Sequence, residues 1–99
     1  MQKGGAVYMI SSPNRNTIYT GVTSNLYKRI YEHRSKHFPD SFTAKYNCVQ
    51  LVYYRLCDTI TQAIHEEKKI KRLLRVEKER MILAFNPEWR DLWTEIGLL

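Results

Sequence analysis

Apolar residues form short continuous runs in the first half of the chain and recur at helical spacing in the second half. The runs at residues 6–10 and 17–23 are rich in β-branched and aromatic residues, and a polar segment of turn composition separates them. This pattern predicts a β-hairpin with a longish loop. A third run at residues 49–56 is too apolar for a half-exposed strand, so we expect it to be central or covered on both faces.

Three helices are predicted from apolar spacing and from residues that begin or end helices. The first is capped by Ser24 or Asn25 and ends near residue 37, before a loop that lasts to residue 47. The second begins after Asp58 or Thr59, with Thr59 and Gln62 at capping-box spacing, and extends to residue 73 or 74. The third covers residues 76–85, and residues 89–92 add a short turn.

The order β-β-α-β-α-α predicts one α+β domain that spans residues 1–99. A small three-stranded antiparallel sheet, made of the hairpin plus the third strand, is flanked by the three helices. A chain of 99 residues suffices for a single modest core.

The net charge of the chain indicates which class of molecule it binds. The chain has 16 Lys and Arg against 10 Asp and Glu, a net charge of +6, which favours a polyanion such as nucleic acid. Residues 1–5 lack the apolar segment of a signal peptide, and no stretch reaches the roughly 18 apolar residues that cross a bilayer. We therefore expect a cytoplasmic protein with no membrane association.

Two polar residues lie on the inward edge of the first predicted helix. Arg29 and His33 are one helical turn apart, where an Arg can present a forked donor to phosphate while the imidazole handles a proton. A half-buried Arg bound to carbonyl groups and a His at the core edge would explain the same pattern. The spacing alone leaves both interpretations open.

A carboxylate interrupts the apolar stripe of the second helix. Glu67 falls in the middle of the stripe, whereas Glu66 lies well off it; the apolar members are Ile60, Ala63, Ile64, Ile70 and Leu74. Because an unpaired buried carboxylate is costly, Glu67 must meet a cation, a donor network or a metal ion. A salt bridge to Arg29 or a nearby Lys is the purely structural alternative.

Two tyrosines occupy neighbouring predicted strands. The hydroxyl groups of Tyr8 and Tyr19 can project from the same face of the sheet towards the helices. Periodicity does not distinguish them from ordinary strand aromatics.

The ordered set of these residues resembles the GIY-YIG endonuclease superfamily, and in particular its small stand-alone bacterial members. Ala6-Val7-Tyr8 and Tyr19-Thr20-Gly21 stand at the two tyrosine motifs, with Ala6-Val7 in place of Gly-Ile and Thr20 in place of Ile. The resemblance implies that the catalytic residues are Tyr8, Tyr19, Arg29, His33, Glu67 and Asn86, and that Lys45 and Lys71 contact nucleic acid.

The resemblance also implies the reaction. We expect a metal-dependent endonuclease that hydrolyses phosphodiester bonds in nucleic acid, with DNA the favoured substrate. Glu67 would hold one Mg²⁺ or Mn²⁺, Arg29 would stabilise the phosphate, and Tyr8 would act on the attacking water with help from His33. Tyr19 would support Tyr8, and Asn86 would position neighbouring groups. The protein would be a monomer or weak dimer, with a possible protein partner for targeting.

Two alternatives belong to other functional classes. The chain could be a non-catalytic nucleic-acid-binding module of the same fold that acts in DNA repair or recombination. It could also be a protein-interaction domain that docks through Trp89, Trp93, Ile96 and the terminal leucines. Metal-dependent cleavage separates the first alternative from a nuclease.

Overall fold

The computed structural model describes residues 4–98, and it confirms the predicted α+β architecture. The elements are β1 (Gly5–Ser11), β2 (Ile18–Thr23), α1 (Leu26–Arg34), α2 (Phe42–Lys45), β3 (Gln50–Cys57), α3 (Ile60–Lys71), α4 (Arg75–Phe85) and α5 (Trp93–Ile96). Two short helices, α2 and α5, are therefore added to the predicted order. Residues 1–3, on which part of the signal-peptide expectation depends, and Leu99 lie outside the described residues.

Strand β1 is the centre of the sheet. Within residues 4–98 the strand order is β2-β1-β3, and both pairings are antiparallel. Tyr8 faces Gly21 across the hairpin and Ile10 faces Tyr19, so the two tyrosines lie on the same face because residues two apart share a face. Strand β3 pairs with β1 alone, so the expectation of a central strand is wrong, whereas that of a covered strand is correct.

The sheet has an apolar core on each face. The core on the tyrosine face joins Tyr8 and Ile10 to residues of α1, β3 and α5, namely Leu26, Ile30, Leu51, Leu92 and Ile96. The opposite core joins Val7 and Met9 to residues of β3, α3 and α4, namely Val52, Ile70 and Ile82. A β-bulge shifts the β1–β3 register between Met9 and Ile10, so that Leu51 rather than Val52 lies opposite Ile10 on the tyrosine face.

The helix boundaries follow from local hydrogen bonds. Asn25 caps α1 by accepting from the backbone of Lys28 at 3.2 Å, and Thr59 forms the predicted capping box with Gln62. Helix α1 ends at Arg34 rather than near residue 37, because Lys36 adopts a left-handed backbone with φ of 54°. Helix α3 ends at Lys71, two or three residues before the predicted end at residue 73 or 74.

Several sequence expectations about packing were wrong. Ile60, Ile64 and Leu74, expected to point inwards, are exposed, so the buried stripe of α3 consists of Ala63 and Ile70. The C-terminal turn was expected at residues 89–92, but helix α5 begins at Trp93.

Two of the apolar residues near the C-terminus serve the core, whereas Leu98 is 84 % exposed. Trp89 and Ile96 are buried, which leaves them unavailable as the docking surface considered from sequence. No helix within residues 4–98 is both long enough and apolar enough to span a bilayer.

Candidate active site

A buried chain of hydrogen bonds links β1 to α1 and α2. The hydroxyl of Tyr8 lies 2.9 Å from Nε2 of His33, and Nδ1 of His33 lies 2.9 Å from the hydroxyl of Thr43. Thr43 in turn lies 3.3 Å from the hydroxyl of Ser41. Each nitrogen of the imidazole therefore has one hydroxyl partner, and the ring is fixed from both sides.

Burial makes both members of the Tyr8–His33 pair neutral at physiological pH. Desolvation lowers the pKa of His33 to about 4, and the nearby positive charge of Arg29 acts in the same direction. Desolvation raises the pKa of Tyr8 to about 12, although the hydrogen bond and charge of Arg29 partly oppose this. A neutral imidazole has one nitrogen that accepts and one that donates, so His33 accepts a hydrogen bond from one of its two hydroxyl partners and donates to the other.

Strand β2 supplies the second tyrosine and a glycine that makes room for the first. The ring centroid of Tyr19 lies 5.9 Å from that of His33. Gly21 lies directly under the Tyr8 ring, since a Cβ atom there would come within 2.4 Å of the Tyr8 hydroxyl oxygen. The glycine of the second motif thus permits the close approach of Tyr8 to the edge strand.

Arg29 reaches the same place from α1. Its guanidinium is bound to Glu32 at 3.1 Å and is close enough to Tyr8 to lower the pKa of that phenol. About a third of the Arg29 side chain is exposed. A guanidinium that is anchored on one side and open on the other can donate to an incoming phosphate.

Glu67 approaches the site from α3, which packs on the opposite face of the sheet and contacts both β1 and β2. Its carboxylate is 13 % exposed and binds Nζ of Lys71 at 2.8 Å, while the Lys71 side chain is 50 % exposed. The structure thus contains the salt bridge to a nearby Lys that was the structural alternative, and the bridge opens to solvent. Burial is the main effect that raises the pKa of Tyr8, and the charge of Glu67 adds a smaller contribution in the same direction.

The neighbouring carboxylate points elsewhere. Glu66 pairs with Arg55 of β3 at 3.3 Å and with Lys69 at 3.6 Å. It also lines a cavity of about 390 Å³ at the junction of β3 and α3, and none of the candidate residues lines that cavity. Of the two adjacent carboxylates, Glu67 is the one whose charge acts on Tyr8, whereas Glu66 is paired with Arg55 and Lys69.

Two further candidates lie apart from this group. Asn86 is buried against the opposite core; its side-chain amide donates to the carbonyls of Val52 at 3.2 Å and Arg90 at 2.7 Å and accepts from the Arg90 backbone at 3.0 Å. Its amide is thus occupied in joining the segment after α4 to β3. Lys45 is exposed at the end of α2.

A small cavity opens beside the grouped side chains. It has a volume of about 70 Å³, enough for about two water molecules. Its lining includes Tyr19, Arg29 and His33 together with residues that our sequence reasoning did not select, namely Glu32, Lys36, Phe38, Ser41, Phe42 and Thr43. The cavity can admit a water and part of a phosphate group, but it is too small for a nucleobase.

Sequence reasoning missed Thr43 because it assigned the segment up to residue 47 to a loop. Ser41 caps α2 by accepting from the backbone of Ala44 at 3.3 Å, and the helix buries Thr43 against His33. A Ser followed by four residues without Gly or Pro was the available signal, but so short a helix has almost no periodicity.

Comparison with known proteins agrees with this arrangement of motifs. The family model described as GIY-YIG catalytic domain matches residues 4–80. The chain belongs to the GIY-YIG family. A UPF0213 protein of Syntrophus aciditrophicus is 34 % identical over 82 residues, which cover 83 % of this chain and 92 % of the relative. A UPF0213 protein of Desulfotalea psychrophila is 33 % identical over 79 % of this chain and 70 % of its own length. A UPF0213 protein of Natronomonas pharaonis is 34 % identical over 77 % of this chain and 87 % of its own length. No solved structure matches the chain.

The GIY-YIG domain indicates nuclease-type activity and nucleic-acid binding, and nucleases of this family generally use divalent metals. Within residues 4–98 there is no group of three or more His, Cys, Asp or Glu side chains that could together bind a metal ion. The hard oxygen donors of Glu67 still suit Mg²⁺, which keeps most of its waters and commonly binds through one or two carboxylates plus substrate phosphate. The residues present therefore fit a single, substrate-assisted divalent cation.

Proposed function

We propose that this GIY-YIG protein is a metal-dependent endonuclease that hydrolyses phosphodiester bonds in nucleic acid, most readily DNA. The observation that carries the proposal is a grouping of candidate side chains: Tyr19, Arg29 and His33 line one small opening, and the buried Tyr8 is hydrogen-bonded to His33. The charge of Glu67 acts on Tyr8 from α3. Phosphodiester hydrolysis needs a group that activates water and a positive group that stabilises charge on the phosphoryl oxygens.

Tyr8 and His33 act on the water as a pair. In the proposed tautomer the Tyr8 hydroxyl donates to Nε2 of His33, and Nδ1–H donates to Thr43. The phenol oxygen then has a free lone pair with which it accepts a hydrogen bond from the attacking water. As the water attacks, its proton passes to Tyr8 and the phenol proton passes to His33. This relay avoids a free phenolate, which a pKa of about 12 makes very scarce at neutral pH.

Arg29 stabilises the phosphate. Its exposed edge faces the cavity, and the bond to Glu32 holds the guanidinium in place before substrate arrives. Because the group is already oriented, it stabilises the charge that develops on the phosphoryl oxygens without further reorganisation. Tyr19, whose ring lies close to that of His33, supports the arrangement from β2.

Glu67 is the residue that would hold Mg²⁺ or Mn²⁺. When bound, the cation would supply Lewis-acid stabilisation of the phosphoryl and leaving oxygens. Lys71, which is paired with Glu67 and half exposed, is close enough to contact a neighbouring phosphate once the carboxylate has another partner. Lys45 would add a phosphate contact outside the cavity.

The decisive experiment measures cleavage of linear and branched DNA and RNA with Mg²⁺ or Mn²⁺, comparing the parent with Glu67→Gln. We expect the parent to cut and the variant to lose at least about a hundredfold in rate, because it loses the proposed cation ligand. Excess chelator should abolish cleavage by the parent.

Glu66→Gln is the matched control, since it neutralises the adjacent carboxylate that faces Arg55 instead. It should cut at nearly the parental rate. Equal rates for the parent and Glu67→Gln would point to a contaminating nuclease. Binding without cleavage under every metal condition would favour the non-catalytic module.

A further inference from the structure

Two exposed aromatic side chains line the small cavity, and a third exposed ring packs on one of them. Phe38 and Phe42 line the cavity, and the ring of Tyr46 packs on Phe42 with centroids 4.6 Å apart. Their exposed fractions are 51 %, 49 % and 54 %. We refer to Phe38, Phe42 and Tyr46 as the aromatic rim.

The rim is exposed because of how α2 packs. The helix turns Thr43 inwards to His33, and Phe42 and Tyr46, four residues apart, lie together on an outer side. Adjoining exposed rings contribute little to the core, and a concentration of them at a functional opening is typical of a binding surface.

Basic groups accompany the rings. Lys36 lines the same cavity, Lys45 lies within α2 between Phe42 and Tyr46, and the guanidinium of Arg29 lies 5.8 Å from the ring centroid of Phe38. Aromatic faces beside basic side chains are the combination that binds single-stranded nucleic acid, in which bases stack on rings and phosphates meet cations.

The size of the cavity determines where a base can lie. A volume of about 70 Å³ accepts a phosphate oxygen and water but excludes a nucleobase. With a phosphate at Arg29, the flanking bases must therefore lie outside, beside the rim. In a duplex the base faces are stacked on one another, whereas unpaired bases leave their faces available to Phe38 and Phe42.

We infer that the aromatic rim stacks on unpaired bases next to the phosphate at Arg29, and that the substrate is a single-stranded nucleic-acid segment. This inference rests on the proposed function for the position of the phosphate. A second group of exposed rings lies on the outer side of α1, but Tyr27 and Tyr31 pack with Trp93 and take no part in the cavity.

The test measures binding without metal, so that no strand is cut. Fluorescence anisotropy compares a labelled single-stranded DNA, a strand of equal length that consists of abasic sites, and a blunt duplex. We expect the strand with bases to bind most tightly. Phe42→Ala should weaken that binding by about fivefold or more, because a base–ring stack is lost, and should leave binding of the abasic strand nearly unchanged.

Phe42→Trp retains a ring and should restore affinity, and Phe38→Ala should behave like Phe42→Ala. Tyr31→Ala, a half-exposed ring outside the cavity, is the matched control and should bind like the parent. Circular dichroism checks that each variant is folded. An RNA strand of the same sequence, compared with its own abasic counterpart, tests whether the sugar matters, and a preference for bases in either polymer supports the inference.

Equal affinity for the strand with bases and the abasic strand would overturn the inference, as would equal losses in Phe42→Ala and Tyr31→Ala. The proposed function would survive either outcome if Glu67-dependent cleavage is observed. Conversely, base-dependent binding that needs Phe42, without cleavage of any polymer, would support the rim and refute the nuclease.

Discussion

His33 is held between two hydroxyl groups, and its chemical role depends on which nitrogen carries the proton. In the proposed tautomer the Thr43 hydroxyl accepts from Nδ1–H, which leaves Nε2 free to accept from Tyr8. The contact with Thr43 is therefore as relevant to proton transfer as the contact with Tyr8. Ser41 extends the same chain of hydroxyls to the surface side of α2.

Thr43→Val tests this positioning role, since valine has the shape of threonine without the hydroxyl. We expect the rate of cleavage to fall about tenfold or more, as when the partner that fixes a histidine tautomer is lost at other catalytic sites. Nitrogen NMR of the His33 ring should show one neutral tautomer in the parent and a mixture in Thr43→Val.

Thr43→Ser retains the hydroxyl and should restore both the rate and the single tautomer. A Val variant with parental NMR signals and a lower rate would show that Thr43 acts by packing instead.

His33 also predicts a pH dependence of stability. Its pKa in the folded protein is about 4, below the unfolded value near 6.5, so the unfolded state takes up a proton first as the pH falls. The contribution of His33 is fully present above pH 6.5 and is lost as the pH falls towards 4. The difference in unfolding free energy between the parent and His33→Gln should shrink by roughly 3 kcal/mol between pH 7 and pH 4. Urea denaturation at several pH values measures it, and a pH-independent difference would contradict the pKa shift.

At the scale of elements, the hairpin sets the position of the first tyrosine. The β1–β2 register places Gly21 opposite Tyr8, and the missing side chain there gives the phenol its path to His33. A Cβ at residue 21 would clash with the hydroxyl end of the Tyr8 ring, which a hydrogen bond to His33 holds in place. The clash could be relieved only by moving that ring or the strand.

Gly21→Ala should therefore displace Tyr8, lowering the unfolding free energy by about 1–3 kcal/mol and reducing cleavage strongly. Gly5→Ala is a useful control, because a Cβ there would come within 2.9 Å of the Ile60 side chain at the start of α3, which is not a candidate site residue. It should lower stability but not cleavage at temperatures where both variants are folded. Equal effects of both substitutions on cleavage would show that stability alone controls the rate.

The strands and long helices were predictable because apolar runs, spacing and caps agree at each of them. The early end of α1 was not, since the left-handed backbone falls on Lys36, a residue type with no preference for it. Helix α2 could not be predicted because four residues are too few to show a helical periodicity. The burial of Thr43 and the grouping of the aromatic rim depend on that helix, so they could not be predicted either. The position of Glu67 follows from its place between Ala63 and Ile70, but its pairing with Lys71 depends on side-chain reach that periodicity does not fix.

In the molecule as a whole, Asn86 joins α4, β3 and the C-terminal segment, which support the central strand without contributing residues to the small cavity. Its amide bonds connect the end of α4 to β3 and to the segment that leads to α5. Trp89, on the same segment, donates from its indole nitrogen to the hydroxyl of Ser11 at 3.0 Å. The C-terminal part is thus attached to the central strand that carries Tyr8.

Asn86→Ala should lower the unfolding free energy by about 2 kcal/mol or more, because buried carbonyls of Val52 and Arg90 lose their donor. Cleavage measured well below the unfolding temperature should stay close to the parental rate. A large loss of rate in a variant of parental stability would instead support the direct role in the site that the family resemblance implies.

The candidate site draws its members from β1, β2, α1 and α3. A stretch of chain that contains all of them must therefore run from β1 to α3. During translation both phenols, the guanidinium and the imidazole leave the ribosome well before the acidic side chain of Glu67. Under the proposed chemistry, a chain that ends before α3 lacks the residue that would hold the cation and does not cleave nucleic acid. Catalytic activity therefore requires that α3 has been synthesised and that the chain has folded around its central strand.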